Sequence, residues 1–591
     1  MFAWRRIIIL IFSGRRAGSL KSFCEEWTFD GNEFYILQAR LITGLKRESK
    51  LSADSIWTRA NVGEVLPDVV TPLTWDVFQS MLLGRRVADT GEEDDKMGGD
   101  DGIRRIHGRV YLRLDRLLDS FCYLPTVTPD VMTRVLGVDP LPSAHGYAPP
   151  SGLHVRLAQA GFLMDVLGGL PRLASLVKRL PPEPPSVFEK LEEILIWVRR
   201  CFRLHVKCTA FAIGSFGLLA LILKRWLAAD AERLLPELLI GKEDLQTAAQ
   251  GMELWCLAKR VHKNGAVEKI LHAGEPWSVR VEELKQVKEG QELLADLSGF
   301  LRANGARSAG EFELAIPRWR EDPSFLVKIL QKYVSCVEKG AYHDVYERRR
   351  RQQRAVDEIK ALLSPFKRSV FMRLLSSYST YSTLRENMKY RLMEGYAQLR
   401  QVFMEISRVL IDRKVLNKKE DIFFLTMPEI LALVKNPDRV EDKQALIRRR
   451  REQHNFWESQ KKRDVVIGSW VEDASGTAAE LTGIGCSPGL AEGFARVLFD
   501  PSEAGCLEPG EILVAPHTDP GWTPLFLACK AIITEIGGFL SHGATVAREY
   551  GIPAVLNVKE ATLRIRTGDF LRVDGTNGLV TICKSHTAHG S

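Results

Sequence analysis

The sequence predicts a multidomain chain in which a large, mainly α-helical domain is followed by a small α/β domain. The first observation is a helical period in residues 392–411, where apolar residues recur in steps of four and three. The second is a pair of short β-branched runs, EILVAP (511–516) and AIITEI (531–536), which predict buried strands. The third is the length of 591 residues, 45% hydrophobic and 26% charged, which indicates about two to four globular domains. The apolar residues of the helical period are Leu392, Tyr396, Leu399, Phe403, Ile406 and Leu410.

The helical prediction covers residues 45–470, and a weaker helical period runs through residues 187–202. Residues 208–223 are mostly apolar, but they are fewer than the ~20 that a bilayer-spanning helix needs. They therefore predict a buried core helix rather than a membrane span. Residues 86–105 are acidic, contain glycine and almost lack large apolar groups, which predicts a mobile surface loop.

The composition favours a cytoplasmic protein with neither a nucleic-acid nor a membrane partner. The ten cysteines are scattered without a CxxC pair, which argues against a disulfide framework and against a zinc site. The net charge is a modest +8, and the two four-arginine runs, 348–351 and 448–451, predict solvated helix faces. The first 23 residues carry four arginines and no acidic residue, like a transit peptide, but we expect that likeness to be accidental.

A histidine lies at a predicted turn from strand to helix in residues 537–555, GGFLSHGATVAREYGIPAV. Two glycines end the strand, Ser541 is the predicted N-cap, and Gly551 is the predicted end of the helix. The N–H groups at a helix start stabilise anions, and an imidazole is a competent nucleophile near neutral pH. Arg548, farther along the helix, is a cation suited to phosphate oxygens. These residues suggest that His542 carries phosphate, although a helix-capping or buried structural histidine fits the spacing equally well.

The same stretch resembles the phosphohistidine signature of the phosphoenolpyruvate-utilising enzymes, most closely those of the rifampicin phosphotransferase type. The resemblance extends through VAPHTDPGWTPLF (514–526) and GDFLRVDGTNGLV (568–580), and Thr545 departs from it where the family usually has a branched aliphatic residue. It implies that His542 accepts the phosphoryl group, with Ser541 and Arg548 in support.

The resemblance also implies a division of the C-terminal part of the chain. Residues 484–584 would form a phosphohistidine swivelling domain, the small polar residues 471–483 a hinge linker, and residues 585–591 a tail.

Near the N-terminus, EEWTFDGNEFYILQARLIT (25–43) resembles the last strands of the family's ATP-grasp nucleotide domain. By that resemblance Glu26 and Gln38 would contact magnesium and Arg40 the nucleotide phosphates, with residues 1–44 a remnant of that domain. Because no glycine-rich phosphate loop precedes them, an alternative is an edge hairpin that binds no nucleotide. We expect ATP and magnesium not to be bound by this chain alone, and expect a separate or longer chain with an ATP-grasp domain as a partner.

Three further stretches resemble the family's helical substrate domain, namely NVGEVLPDVVTPLTWDVF (61–78), LRENMKYR (384–391) and EDIFFLTMPEI (420–430). The second contains Arg385 and Glu386, which are either substrate-binding residues or a surface pair of a helix, worth about 0.3 kcal/mol.

The resemblance as a whole implies a phosphotransferase that passes a phosphoryl group from an ATP-grasp site, through His542, to a hydroxylated small molecule. Because most of the ATP-grasp domain is missing from the sequence, we expect this activity to be incomplete without one. The alternative is a catalytically silent, truncated homologue that acts as a binding or scaffold protein.

Overall fold

A computed structural model describes residues 23–29, 34–41, 56–60, 62–83, 102–121, 124, 153–168, 177, 191–238, 246–338, 345–435, 443–460, 465–467 and 480–584. Residues 1–22, 471–479 and 585–591 lie outside the described residues, as does most of the predicted loop at 86–105. In the described part a mainly helical region precedes a C-terminal α/β region, as the sequence predicts.

The helical region contains helices of very different lengths, the longest of 48 residues, up to residue 459. A 3₁₀ turn at Lys419–Phe424 follows the longest helix and precedes the last two helices of this region. The helices are α1 (Val62–Val65), α2 (Pro72–Leu83), α3 (Leu114–Phe121), α4 (Leu153–Gly168), α5 (Leu191–Leu227), α6 (Ala229–Glu237), α7 (Gln246–His262), α8 (Gly265–His272), α9 (Trp277–Lys285), α10 (Lys288–Asn304), α11 (Ser324–Glu338), α12 (Val345–Leu362), α13 (Pro365–Asp412), α14 (Met427–Lys435) and α15 (Lys443–Ser459).

Helix α13, 48 residues long, carries the apolar period found in the sequence. It begins with Pro365 in the first turn, where a missing N–H costs nothing. All of the predicted apolar positions are buried except Ile406, which is partly buried. The helix packs along α5, and a Cβ at Gly395 would come within 2.5 Å of Val198 Cγ2, so glycine permits this close approach.

Helix α5 contains the apolar stretch 208–223. It is the one helix among those described that is long and apolar enough to cross a membrane, judged by length and composition alone. Half of its most apolar window is buried in this fold, and Cys208, Ala212 and Leu219 are fully covered. The prediction of a core helix is confirmed, whereas the absence of a membrane partner stays a prediction.

Both four-arginine runs lie on helices, the first on α12 and the second on α15. Arg351 forms an ion pair with Glu237, and the second run donates from Arg450 to Glu429. The predicted helices are confirmed, while the absence of a nucleic-acid partner stays a prediction.

The helical region also contains a small antiparallel sheet, so the prediction that residues 45–470 are mainly helical omitted a β component. Its order is β4-β5-β3-β6, formed by β3 (Ile56–Thr58), β4 (Ile103–Ile106), β5 (Arg109–Arg113) and β6 (Val465–Ile467). The loop predicted through residue 105 is wrong from residue 103 onward. His107 and Gly108 both have positive φ, +50° and +73°, which closes β4 and β5 into a two-residue hairpin.

The α/β region is built on one eight-stranded sheet, in the order β7-β14-β13-β9-β10-β11-β12-β8. The neighbouring strands β9 to β12 are parallel, and the apolar face of the sheet forms a core of its own. The strands are β7 (Glu480–Thr482), β8 (Ile484–Ser487), β9 (Leu490–Val497), β10 (Ile512–Ala515), β11 (Ala531–Thr534), β12 (Ala554–Leu556), β13 (Phe570–Asp574) and β14 (Leu579–Lys584). The region's helices are α16 (Thr523–Phe526), α17 (His542–Tyr550) and α18 (Ala561–Arg564), with 3₁₀ turns at Pro501–Cys506 and Pro520–Trp522.

The predicted hinge at 471–483 reaches too far toward the C-terminus. Strand β7 pairs with β14 through Glu480–Thr482 and so belongs to the edge of the sheet. Residues 471–479 remain the predicted hinge, and they lie outside the described residues.

Candidate active site

Helix α17 begins and ends as its sequence predicts. Ser541 is the N-cap, with φ −61° and ψ 162°, and its Oγ accepts a hydrogen bond of 3.2 Å from the backbone N–H of Ala544. Gly551 ends the helix in the left-handed conformation, at φ 63°. The predicted strands before the helix are also present, as β10 and β11. His542 is therefore the first residue of a helix that follows a buried strand.

The imidazole of His542 is buried, 5% exposed, between the two regions of the protein. Its Nε2 lies 2.7 Å from Oγ1 of Thr523, at the start of α16. Its Nδ1 lies 3.8 Å from Oε2 of Glu386, which projects from α13 of the helical region. Both ring nitrogens are thus faced by an oxygen, one from each region.

The charges around the ring favour one tautomer of His542. Burial lowers the pKa of the imidazole, and the neighbouring carboxylate of Glu386 opposes that shift only in part. Burial alone would raise the pKa of Glu386, but Arg385 and the contact with His542 hold it well below its usual range. Glu386 is therefore ionised, and an ionised carboxylate accepts but does not donate. At 3.8 Å the carboxylate makes no hydrogen bond with Nδ1, but its negative charge favours the neutral tautomer that carries its proton on Nδ1 and leaves the lone pair on Nε2, next to the hydroxyl of Thr523.

Arg385 and Glu386 are not a surface pair of a helix, so that alternative is wrong. The two side chains are 6% and 5% exposed and form an ion pair with each other. Nη1 of Arg385 donates to the carbonyl oxygen of Leu540 at 2.5 Å, and Nη2 donates to Oγ1 of Thr545 at 3.3 Å. Thr545, the departure from the family pattern, is thus a hydrogen-bond partner between the regions.

Two further cations lie near His542. The positive charges of both Lys389 and Arg307 lower the pKa of the imidazole, in addition to the effect of burial. Arg307 is 1% exposed and donates to Oε1 of Glu311 at 2.7 Å, while Nζ of Lys389 lies 3.9 Å from the other oxygen of the same carboxylate. These side chains supply positive charge on the helical side of the imidazole.

Arg548 is turned away from the imidazole. Its Nη1 donates to the carbonyl oxygen of Cys486 at 2.8 Å, and its guanidinium lies 4.9 Å from the ring centre of Phe539. In this arrangement it anchors the segment before the histidine. Direct support of a phosphoryl group by Arg548 stays a prediction.

Asp519 joins the α/β region to the helical region, a contact that the sequence did not reveal. Its carboxylate accepts the N–H of Gly310 from the helical region and, at 2.8 Å, the N–H of Gly521. Burial raises the pKa of Asp519 to about 7. A Cβ at Gly521 would come within 2.6 Å of the Cα of Ala309, so the two backbones touch here. The only sequence signal was the position of Asp519 within the stretch PHTDPGWTP.

Glu64 is another buried carboxyl of the helical region, and the sequence predicted no role for it. It belongs to α1 and is 8% exposed. Burial raises the pKa of its carboxyl to about 7, against the opposing charges of Lys389 and Arg385. The helical region therefore contains two buried carboxyls in contrasting states, Glu386 ionised and Glu64 near its midpoint at neutral pH.

The candidate nucleotide residues lie on a hairpin at the other end of the chain. Strands β1 (Phe23–Phe29) and β2 (Phe34–Leu41) pair antiparallel, and Glu26 stands opposite Gln38. The two predicted magnesium ligands are therefore neighbours in register, with Arg40 opposite Cys24. The side chains of these residues lie outside the description. Among the residues that the structure does describe, no cluster of three or more His, Cys, Asp or Glu could hold a metal ion.

Two domain families match this chain. Residues 205–386 match the family described as "Rifampicin phosphotransferase fourth domain". Residues 507–578 match the family described as "PEP-utilising enzyme, mobile domain". The first match ends at Glu386 and the second contains His542, so the two matches include both partners of the buried contact.

Similar proteins match along most of the chain. It is 29% identical over 94% of its length to a rifampicin phosphotransferase of Streptomyces sviceus, of which it covers 65%. It is 31% identical over 51% of its length to a rifampicin phosphotransferase of Bacillus cereus, of which it covers 36%. It is 27% identical over 96% of its length to the prodigiosin synthesizing transferase PigC of Serratia marcescens, of which it covers 68%. The chain thus spans about two thirds of the first relative and about a third of the second.

Proposed function

The chain resembles the phosphoenolpyruvate-utilising enzymes and the rifampicin phosphotransferases, as both domain matches confirm, and from this premise we propose that it is a phosphotransferase. It carries a phosphoryl group on His542 and passes that group to a hydroxylated small molecule. The observation that carries the proposal is the buried contact of His542 with Glu386 across the two regions.

The phosphoryl group is carried on Nε2 of His542. The negative charge of Glu386, 3.8 Å from Nδ1, favours the proton on that nitrogen, and the lone pair of Nε2 is then the nucleophile. The hydroxyl of Thr523 lies at 2.7 Å from this atom and orients it. The start of α17 adds backbone N–H groups and a favourable dipole for the carried anion.

The helical region supplies the positive charge for the transfer to the acceptor. In phosphoryl transfer, catalysis comes mainly from positioning and from cations that stabilise charge on the phosphoryl oxygens. Lys389, Arg385 and Arg307 stand on this side of the imidazole. Phe216 of the helical region stacks on Phe539 of the histidine loop, with 5.1 Å between the ring centres, and also contacts Tyr378. We therefore place the acceptor in the helical region, next to these cations.

His542 receives its phosphoryl group at a second site. The contacts of His542 with the helical region bury it, so a donor reaches it only after the α/β region swings away on residues 471–479. ATP would supply the phosphoryl group and magnesium would neutralise its charge, at an ATP-grasp site in a separate or longer chain. Glu26, Gln38 and Arg40 are the residues of this chain that would contribute to that site.

The experiment that tests the proposal is phosphorylation of the full chain with phosphoramidate, a small phosphoryl donor that does not need an ATP-grasp site. The wild-type chain and His542→Ala are compared, and labelled peptides are located by mass spectrometry. We expect an acid-labile label on His542 that subsequently moves to an added alcohol, with rifampicin as the first acceptor to try. A label that stays on the chain whatever alcohol is added would refute the transfer function and favour the scaffold alternative.

A further inference from the structure

We propose that Thr545 positions Arg385 beside His542 in the docked arrangement, in which the α/β region packs against the helical region and the phosphoryl group is transferred. This role rests on the proposed function and adds a positioning residue to it. Thr545 is buried on α17, three residues and so about one turn after His542. The related family usually has a branched aliphatic residue here, which cannot make the contacts of a hydroxyl.

The hydroxyl of Thr545 uses its whole capacity for hydrogen bonds. It donates its proton to the carbonyl oxygen of Ser541, the residue before His542, at 2.9 Å. Its oxygen accepts from Nη2 of Arg385 at 3.3 Å and from Nη2 of Arg548 at 3.5 Å. A hydroxyl has one proton to donate and two lone pairs that accept, so these three contacts fix its orientation.

The two arginines come from different regions of the protein. Arg548 lies on α17 with Thr545, and its Nη1 donates to the carbonyl oxygen of Cys486 in β8 at 2.8 Å. Arg385 lies on α13 of the helical region, so its hydrogen bond to Thr545 crosses between the regions. Only this second contact depends on docking, whereas the first lies within the α/β region.

One nitrogen of Arg385 links Thr545 to the carboxylate beside His542. Nη2 carries two hydrogens and has two acceptors, Oε1 of Glu386 and Oγ1 of Thr545. Nη1 donates to the carbonyl oxygen of Leu540 in the histidine loop at 2.5 Å. Because the guanidinium is a rigid plane, these contacts together set its orientation and, through it, the position of Glu386.

An aliphatic side chain in place of Thr545 would weaken the docked arrangement in particular. Arg385 is buried there, so the N–H that lost its acceptor would be left without a partner of equal strength. After the α/β region has swung away, the same N–H has no contact with Thr545 to lose. We therefore expect the hydroxyl to matter for transfer to the acceptor, which needs docking, and not for phosphorylation of His542.

The test measures two rates in the full chain, phosphorylation of His542 by phosphoramidate and transfer of the phosphoryl group to glycerol, the probe acceptor, at molar concentration. The variant is Thr545→Val, which keeps the branched shape and removes the hydroxyl, and Thr545→Ser restores the hydroxyl. The matched control is Thr562→Val, which removes another hydroxyl of the α/β region. That hydroxyl donates to Oε1 of Glu535 at 2.5 Å, within the same region.

We expect Thr545→Val to be phosphorylated at least as fast as the wild type, because weaker docking leaves His542 accessible for longer. Its transfer to glycerol should be about tenfold slower, the effect of one lost hydrogen bond to a charged group. Thr545→Ser should recover most of the rate of transfer, and Thr562→Val should match the wild type in both rates. A substitution that merely disturbed the fold would slow both rates together.

A double-mutant cycle tests whether Thr545 acts through Arg385. Arg385→Lys keeps the positive charge, but a single ammonium cannot reproduce the three contacts of the guanidinium. In the Arg385→Lys background, Thr545→Val should therefore slow transfer less than about twofold. A tenfold effect in both backgrounds would show that the hydroxyl acts independently of Arg385 and would overturn the proposal.

A wild-type rate of transfer in Thr545→Val, or an equal slowing of both rates, would likewise overturn the role of Thr545 and leave the proposed function intact. If the wild type itself forms no label on His542 that moves to glycerol, the proposed function fails and this role fails with it.

Discussion

Replacing Glu386 by glutamine tests whether the buried ion pair holds the histidine in its working state. Glutamine keeps the size and an acceptor oxygen but removes the charge, so Arg385, 6% exposed, loses its anionic partner. Removing one partner of a buried pair costs about 3–5 kcal/mol. Because the guanidinium keeps its hydrogen bonds to Leu540 and Thr545, we expect the free energy of unfolding to fall by about 3 kcal/mol, the low end of this range.

The same substitution should change the chemistry of the imidazole. Without the carboxylate, no negative charge beside Nδ1 of His542 favours a proton there, so Nδ1 and Nε2 compete for the phosphoryl group. We expect the wild type to carry label on Nε2 alone and Glu386→Gln to carry a mixture of both isomers. The isomers are distinguished by their ³¹P chemical shifts after charging with phosphoramidate.

The assays are urea unfolding followed by circular dichroism, and ³¹P spectra of the charged chain. The matched control is Glu358→Gln, which removes a carboxylate from an exposed ion pair with Arg233 and should leave both the unfolding midpoint and the isomer unchanged. If Glu386→Gln unfolds at the wild-type midpoint and is labelled on Nε2 alone, the argument for the buried pair is refuted.

Three other predictions concern docking, the nucleophile and pH. Gly521→Ala places a Cβ 2.6 Å from the Cα of Ala309, which disturbs the contact between the two regions. We expect His542 still to be phosphorylated, but transfer of the phosphoryl group to glycerol to be at least tenfold slower. A wild-type rate of transfer would contradict the docking contact. Thr523→Val removes the hydroxyl next to Nε2 and should slow phosphorylation of His542 about tenfold, whereas Thr523→Ser should restore the wild-type rate. Equal rates in all three proteins would show that the hydroxyl is dispensable. The pKa of Glu64 is about 7 in the folded protein and 4.5 when the group is exposed. The free energy of unfolding is therefore highest at low pH, where the carboxyl is protonated in both states, and it falls as pH rises. Urea unfolding should therefore show the wild type losing about 3 kcal/mol between pH 5 and 8 relative to Glu64→Gln, and parallel pH profiles would contradict this.

The local structure around His542 followed from its sequence because its determinants are local. Capping by Ser541 and the left-handed end at Gly551 depend on residues a few positions apart, and such patterns are visible in a single chain. The hairpin at Glu26 and Gln38 was also expected from its own stretch of sequence. The roles predicted for those two residues and for Arg548 stay predictions.

The partners of His542 could not be predicted because they come from distant parts of the chain. Glu386 comes to lie 3.8 Å from Nδ1 of the imidazole only after the helical and α/β regions have packed together. The small sheet was missed for a similar reason, since β3 pairs with β6 from the far end of the helical region. Its hairpin was within reach of sequence reasoning, because His107 and Gly108 separate two alternating segments.

The role of His542 as phosphoryl carrier is tested most directly by mapping the phosphoryl group on the full chain after treatment with phosphoramidate. We expect an acid-labile phosphoryl group on Nε2 of His542, absent from His542→Ala and released to an added alcohol. Label distributed over other histidines in equal measure, and unchanged in His542→Ala, would contradict the claim that this residue is the phosphoryl carrier.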